Sequence, residues 1–246
     1  CNGKMGQVIT KIAEADSKVE IVAGVDQFQG VQNPYPVFSS MEACDAEADV
    51  VIDFSNAAAV DGLLDYCVNR QLPVVLCTTG LSEAQLEKVE KAAEQTAVLK
   101  SANMSLGVNT LMELLQTAAK VLAPAGFDME IVEKHHNQKL DAPSGTAIAL
   151  ADSMNEALDE AYSYKYDRSQ ERKKRDKYEI GIQAVRGGNI VGEHEVIFAG
   201  TDEVITFKHT AYSKAIFGKG AIEAAKYLAG KPAGFYGMAD VIKSAS

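Results

Sequence analysis

The chain has 246 residues, 24 Lys+Arg against 34 Asp+Glu for a formal charge of −10, and 47% hydrophobic residues, a make-up that excludes disordered, collagenous and fibrous proteins. So acidic a surface offers polyanions little to hold, which excludes nucleic acid and anionic membrane surfaces as partners. No apolar run reaches the roughly 18 residues of a membrane span and no stretch has the pattern of a signal peptide, so a cytoplasmic location is expected.

Up to about Leu122, short β-rich runs alternate with helical stretches, the pattern of βαβ units feeding a doubly wound parallel sheet. Strands are predicted over residues 19–25, 50–54, 74–77 and 97–99, and helices over 56–70 and 82–95, the second opened by Ser82 and Gln85 as a capping box. Leu111, Leu114, Leu115, Ala118 and Leu122 keep a helical period until Pro124 and Gly126 break it. A strand over 129–134 follows, then a long helix that Ser144 or Thr146 caps and that runs toward Ala161. Residues 165–177, KYDRSQERKKRDK, carry seven basic and three acidic side chains with no apolar period. They read as a solvated loop, with a positive rim for an anionic substrate as the alternative. From Tyr178 to Thr210 the alternation in EIGIQAV, VGEHEVIF and EVITFKHT, broken at Gly187-Gly188 and Gly200, predicts an antiparallel meander, and a helix over 219–228 closes the pattern.

Chemistry-bearing residues cluster in two places. The first is the opening Cys1-Asn2-Gly3-Lys4-Met5-Gly6 with Asp26 lying 20 residues beyond Gly6, the spacing at which a glycine-rich turn meets a pyrophosphate and an acid meets an adenosine ribose. A glycine before Cys1 would complete G-x-x-G-x-x-G, so the first strand and first glycine of the fingerprint are expected ahead of Cys1. Cys77-Thr78-Thr79 and Ser101-Ala102-Asn103-Met104 follow two predicted strands, where such a sheet presents cofactor contacts. The second cluster is Glu133-Lys134-His135-His136-Asn137-Gln138-Lys139-Leu140-Asp141-Ala142-Pro143-Ser144-Gly145-Thr146. Here proton-exchanging side chains stand just before a helix start that offers hydroxyls and free N–H groups to an anion. A metal site is not expected, because neighbouring histidines on a strand face opposite ways and no third ligand follows. His194 and His209 alternate with apolar residues and read as packed sheet residues. The four cysteines, Cys1, Cys44, Cys67 and Cys77, have no C-x-x-C spacing and are expected to be reduced thiols.

The block E-x-HH-x-x-K-x-DAPSGTA, with NGKMG, CTTG, ANMSLGVN, the run from Arg186 to His194 and FGKGAIEAAKYLAGK in this order, resembles the 4-hydroxy-tetrahydrodipicolinate reductase family over essentially the whole chain. The resemblance implies an α/β protein with a Rossmann-like parallel-sheet dinucleotide-binding domain at 1–103. It implies an α+β substrate and tetramer domain with a mostly antiparallel sheet at 104–213, and a segment at 214–246 returning to the first domain. It implies a homotetramer reducing a cyclic imine dicarboxylate of lysine and diaminopimelate biosynthesis with NAD(P)H. His135 would be the catalytic acid/base and Lys139 a proton donor, with His136, Ser144, Gly145 and Thr146 on the substrate. Cys1, Asn2, Gly3, Lys4, Met5, Gly6, Asp26, Cys77, Thr78, Thr79, Ser101, Ala102, Asn103 and Met104 would meet the cofactor. Cys77 and Met104 stand where the family often has Gly and Phe, and Gln27 where NADPH-preferring members often have Arg, so NADH is expected to be preferred with NADPH still used. Another dicarboxylate reductase and a nucleotide sensor without chemistry are the alternatives; the paired His135 and Lys139 speak against the sensor.

Overall fold

The computed structural model describes residues 1–244. It divides into two compact units, Cys1–Leu106 together with the segment from Ala215 onward, and Gly107–Lys214.

In the first unit the chain enters helix α1 (Lys4–Glu14), a short parallel pair β1 (Gly24–Val25) and β2 (Val37–Phe38), strand β3 (Val51–Asp53), helix α2 (Ala57–Arg70) and strand β4 (Val74–Leu76). Helix α3 (Glu83–Ala93) and strand β5 (Ala97–Lys100) follow, then helix α4 (Leu106–Leu122), which begins at the unit boundary. Strands β3, β4 and β5 are parallel neighbours. Alternation along β4 explains the layering: Val74 and Leu76 pack against Val60, Leu64 and Cys67 of α2 and Val89 and Ala92 of α3, while Val75 belongs to a separate cluster. All three β4 side chains are at most 1% exposed, so this strand reads as a continuous apolar run, as strands of a sheet covered on both faces do. Each such buried aliphatic side chain stabilises the fold by about 1.5–3 kcal/mol relative to exposure. The α3 capping box forms as expected. Residues 19–25 do not form the predicted strand; pairing covers Gly24 and Val25 alone because the partner segment is only Val37–Phe38.

The second unit holds strand β6 (Asp128–His135), helix α5 (Gly145–Glu156), and strands β7 (Ser163–Lys165), β8 (Glu179–Arg186), β9 (Gly192–Ala199) and β10 (Val204–Ala211). The chain then returns to the first unit with α6 (Ala215–Leu228), strand β11 (Gly234–Tyr236), which pairs parallel to β5, and α7 (Met238–Ser244). Ala221, Ala224 and Leu228 of α6 cover Val75 and Leu99 on the far face of the parallel sheet.

The five-stranded sheet of the second unit has the order β10-β9-β6-β8-β7. Most of its paired residues are antiparallel, in the ladders of β10 with β9 and of β9 with β6, while β6 with β8 and β8 with β7 are parallel. The predicted meander is therefore only partly present: β9 and β10 form a hairpin, but β6 inserts between β8 and β9, and β8 runs parallel to β6. The reason is the helix between them in the chain. A strand, a crossover helix and a second strand make a βαβ unit, and such units place their strands parallel. Met129 and Ile131 of β6, Ile180 and Ile182 of β8, and Val196 and Phe198 of β9 are at most 1% exposed and pack with Leu115 of α4 and Leu150 and Met154 of α5. Helix α5 stops at Glu156, short of Ala161, because Asp159 and Glu160 take left-handed backbone angles, φ 57° and 55°. The basic stretch is fastened down by two arginines. Arg168 binds Glu130 at 2.8 Å and also pairs with Glu179, while Arg175 binds Asp128 at 2.9 Å and Glu130 at 3.0 Å.

Candidate active site

Strand β6 ends in Glu133-Lys134-His135, and its alternation turns Glu133 and His135 to the buried face and Lys134 to the other. Glu133 is fully buried, yet its carboxylate is surrounded by donors. Arg186, at the end of β8, binds it with both terminal nitrogens at 2.7 Å. The Ser144 N–H donates to Oε1 at 3.0 Å, and the His135 Nδ1 contacts Oε2 at 2.6 Å. Burial would push this carboxyl up, but the hydrogen bonds from Arg186, His135 and Ser144 outweigh it and hold Glu133 below the ordinary carboxylate range. Burial is also the largest influence on His135 and takes it below the ordinary histidine value, with Glu133 pulling the other way.

Ser144 is 2% exposed. Its hydroxyl accepts the Ala147 N–H at 3.1 Å, capping α5 as expected, and bonds His194 Nε2 at 2.8 Å. With its oxygen used by the cap, the hydroxyl donates to a neutral His194. That ring is buried enough that its pKa falls to about 4, and its Nδ1 has no partner among the described residues. Ser144 is thus committed to the helix start and to the sheet. Lys139 pairs with Asp141 at 2.8 Å, and this contact comes first among those that hold the Asp141 carboxyl low, with the Gly145 N–H adding to it. His136 does not join the Glu133 network. It lines a cleft of about 270 Å³ with Asn189, Val191, Ser213 and Lys214.

The nucleotide-type residues lie in the first unit. Gly3 starts α1 without any side-chain cap, leaving the first-turn N–H groups open to an anion. A Cβ on Gly6 would lie 2.0 Å from the Cys1 carbonyl oxygen, so the turn from Cys1 to Gly6 closes only with glycine there. The Asp26 carboxylate accepts the backbone N–H groups of Asn2 and Phe28, each at 2.9 Å. Burial would raise it, but these bonds keep it below the ordinary carboxylate range. Asn2 and Gln7 both bond Asn33, at 2.7 and 2.9 Å, which ties the loop after Asp26 to the glycine turn. Thr78, just past β4, donates to Asp53 at 2.6 Å. Past β5, Asn103 and Met104 are largely buried, and Asn103 accepts the Ser105 N–H at 2.8 Å. The arrangement fits a dinucleotide, with an uncapped helix start, a turn too tight for a side chain and an ionised acid beside it.

Arg186, Asp53 and Asn33 have no role in the sequence reading, and Glu133 and Asp141 enter it only as members of the block, while His194, read as a packed sheet residue, is one, 4% exposed. The one signal was the i, i+2 spacing of Glu133 and His135 on a strand, which puts both on one face. The other partners lie too far along the chain for local pattern to reveal.

Two family models account for nearly all of the chain. The dihydrodipicolinate reductase N-terminus matches residues 1–104 and the dihydrodipicolinate reductase C-terminus residues 107–242. The chain belongs to the dihydrodipicolinate reductase family. Its relatives in that family include the 4-hydroxy-tetrahydrodipicolinate reductases of Caldanaerobacter subterraneus subsp. tengcongensis, 52% identical over 99% of this chain and 96% of that one, and of Clostridium novyi, 48% identical with the same coverage. Among solved structures, a dipicolinate-bound dihydrodipicolinate reductase from Paenisporosarcina sp. TG-14 superposes with a TM-score of 0.81 at 25% identity, covering 97% of this chain and 96% of that one. A DAP dehydrogenase of C. glutamicum in complex with DAP shares the fold alone, with a TM-score of 0.56 at 11% identity over 98% of this chain and 91% of that one. As in the reductase family, the fold joins a parallel Rossmann-like sheet to a largely antiparallel one. No helix among the described residues is long and apolar enough to cross a membrane, and no group of metal-ligating side chains occurs among them.

Proposed function

We propose that this protein reduces 4-hydroxy-tetrahydrodipicolinate, by way of dihydrodipicolinate, to tetrahydrodipicolinate in lysine and diaminopimelate synthesis, as a cytoplasmic homotetramer. The observation that carries the reading is family membership along both halves of the chain with the whole E-x-HH-x-x-K-x-DAPSGTA block intact.

The cofactor would be held by Cys1 to Gly6, Asp26, Cys77 to Thr79 and Ser101 to Met104. When bound, a nicotinamide supplies the hydride. A proton from His135 or Lys139 would quench the electron-rich centre left on the substrate, a role suited to an imidazole and to an ammonium group. The substrate's carboxylates would meet the Gly145 and Thr146 end of α5 and His136; Lys214, which makes no ion pair among the described residues, adds a cation in the His136 cleft. Lys139 would exchange Asp141 for substrate. Ser144 supports this site through its cap and its bond to His194 rather than through a free hydroxyl.

For the cofactor, NADH is preferred. Asp26 is held ionised and Gln27 brings no charge beside it, so a 2′-phosphate meets repulsion, which Lys4 offsets only partly. The test follows nicotinamide oxidation on the freshly made condensation product of pyruvate and aspartate semialdehyde, with NADH and NADPH in parallel. Substrate-dependent turnover with higher kcat/KM for NADH is expected. Equal or better efficiency with NADPH would overturn the preference, and absence of turnover by folded protein that binds NADH would move the reading to a different dicarboxylate reductase or a sensor.

A further inference from the structure

We infer that Glu133, clamped by Arg186, is a positioning residue that fixes the tautomer and ring plane of His135 and so decides which nitrogen is presented for proton transfer. The inference rests on the reductase reading for what His135 does, and part of its test is independent of that reading.

A carboxylate with no exposure is costly to bury, by several kcal/mol, unless its lone pairs are used. Glu133 uses them fully: its two oxygens receive two Arg186 nitrogens, the Ser144 N–H and the His135 ring nitrogen, all within 2.6–3.0 Å. An ionised carboxylate only accepts. The proton in the 2.6 Å contact therefore sits on His135 Nδ1, and Nε2 is the nitrogen that takes or gives the exchangeable proton. Nε2 makes no hydrogen bond within the protein among the described residues. The ring's other neighbours fix its plane. His194 of β9 meets it edge-on, with centroids 5.2 Å apart and planes at 73°. Gly192, at the start of β9, lies against the Nε2 edge, where a Cβ would come within 3.1 Å of Nε2 and 3.4 Å of Cδ2.

Arg186 has a second effect. The charged groups that face His135 are Glu133 on its own strand, Arg186 from β8 and Lys139 from the following loop, with neutral His194 from β9. A lone buried carboxylate beside the ring would lock it as an imidazolium, able to hold a proton but slow to release it. The guanidinium offsets that charge while leaving the hydrogen bond in place, so the ring is oriented and still able to release its proton.

Two replacements should move the proton-transfer behaviour in opposite directions. Glu133→Gln removes the group that favours the imidazolium, so the descending limb of kcat against pH shifts to lower pH, by about one unit. Arg186→Met removes a group that disfavours it, so the limb shifts to higher pH. Both variants should lower kcat by about ten- to a hundred-fold or more, in the manner of a misoriented catalytic histidine, with NADH affinity unchanged because the cofactor residues lie in the other unit. Misfolding alone would not split the two limbs in this way. In the unaltered protein, imidazole ¹⁵N shifts should report neutral His135 with Nδ1 protonated and Nε2 bare. Overturning results are an Nε2-protonated neutral ring in the unaltered protein, or variants whose limbs stay put or move together. Should the unaltered protein fail to reduce the imine, the reductase reading falls while the ¹⁵N measurement still decides what Glu133 does.

Discussion

At the scale of single residues, both side chains proposed to move protons stand beside a carboxylate, His135 beside Glu133 and Lys139 beside Asp141. If His135 and Lys139 supply the proton, His135→Ala and Lys139→Met should each lower kcat by about two to four orders of magnitude while NADH binding is retained. Stopped-flow turnover beside a fluorescence titration of NADH checks this, and a normal kcat in both variants would remove the acid assignment. His194 makes a separate prediction about stability. Its folded pKa, about 4, lies below the roughly 6.5 of an unfolded histidine, so the unfolded chain takes up the proton first. The stability held by the neutral ring is complete above about pH 6.5, declines as the pH falls toward 4 and is gone below it, a total of about 3 kcal/mol. Urea midpoints between pH 7 and 4 should fall in the parent protein and fall less in His194→Gln. Parallel slopes would place the acid sensitivity elsewhere.

At the scale of elements, two helix caps of the same residue type differ in what they support. Ser82 caps α3 in an exposed setting with Gln85, and its loss to alanine should cost about 1 kcal/mol. Ser144 caps α5 and also donates to buried His194, so Ser144→Ala should cost about 2 kcal/mol or more, the cap plus a buried acceptor left without its donor. Denaturant unfolding of the two variants checks the order, and an equal cost would mean that the His194 bond contributes nothing net. The same contrast marks what sequence could reveal. The Ser82 and Gln85 box, the alternation of β9 and β10 and the apolar run of β4 are local patterns, and local pattern finds them. The insertion of β6 between β8 and β9 is set by pairings with residues more than 40 positions away, which no window along the chain contains. Strands β2, β7 and β11, of two or three residues each, are too short to carry a period. In the candidate site the histidines and the lysine were legible because their chemistry is unusual in itself. Arg186 was not, because an arginine ending a strand is ordinary until its carboxylate partner is known.

At the scale of the whole molecule, the chain builds separate cores. Phe198, Met154 and Leu150 belong to one in the second unit, whereas Leu64, Val74 and Val98 belong to one in the first, on the same side as every residue assigned to the cofactor. A ligand stabilises only the structure that its binding requires, by about 2.7 kcal/mol at a hundredfold excess over Kd. Phe198→Ala, which leaves a large cavity in the second core, should cost that unit about 3–5 kcal/mol and leave NADH affinity unaltered. Calorimetry of this variant should then resolve two transitions, an early one indifferent to NADH and a later one that NADH raises, whereas Leu64→Ala should lower the transition that responds to the cofactor. If Phe198→Ala unfolds in one transition that NADH moves as a whole, the two cores share a single cooperative unit, and a loss of packing in the second core would reach the nucleotide turn as well.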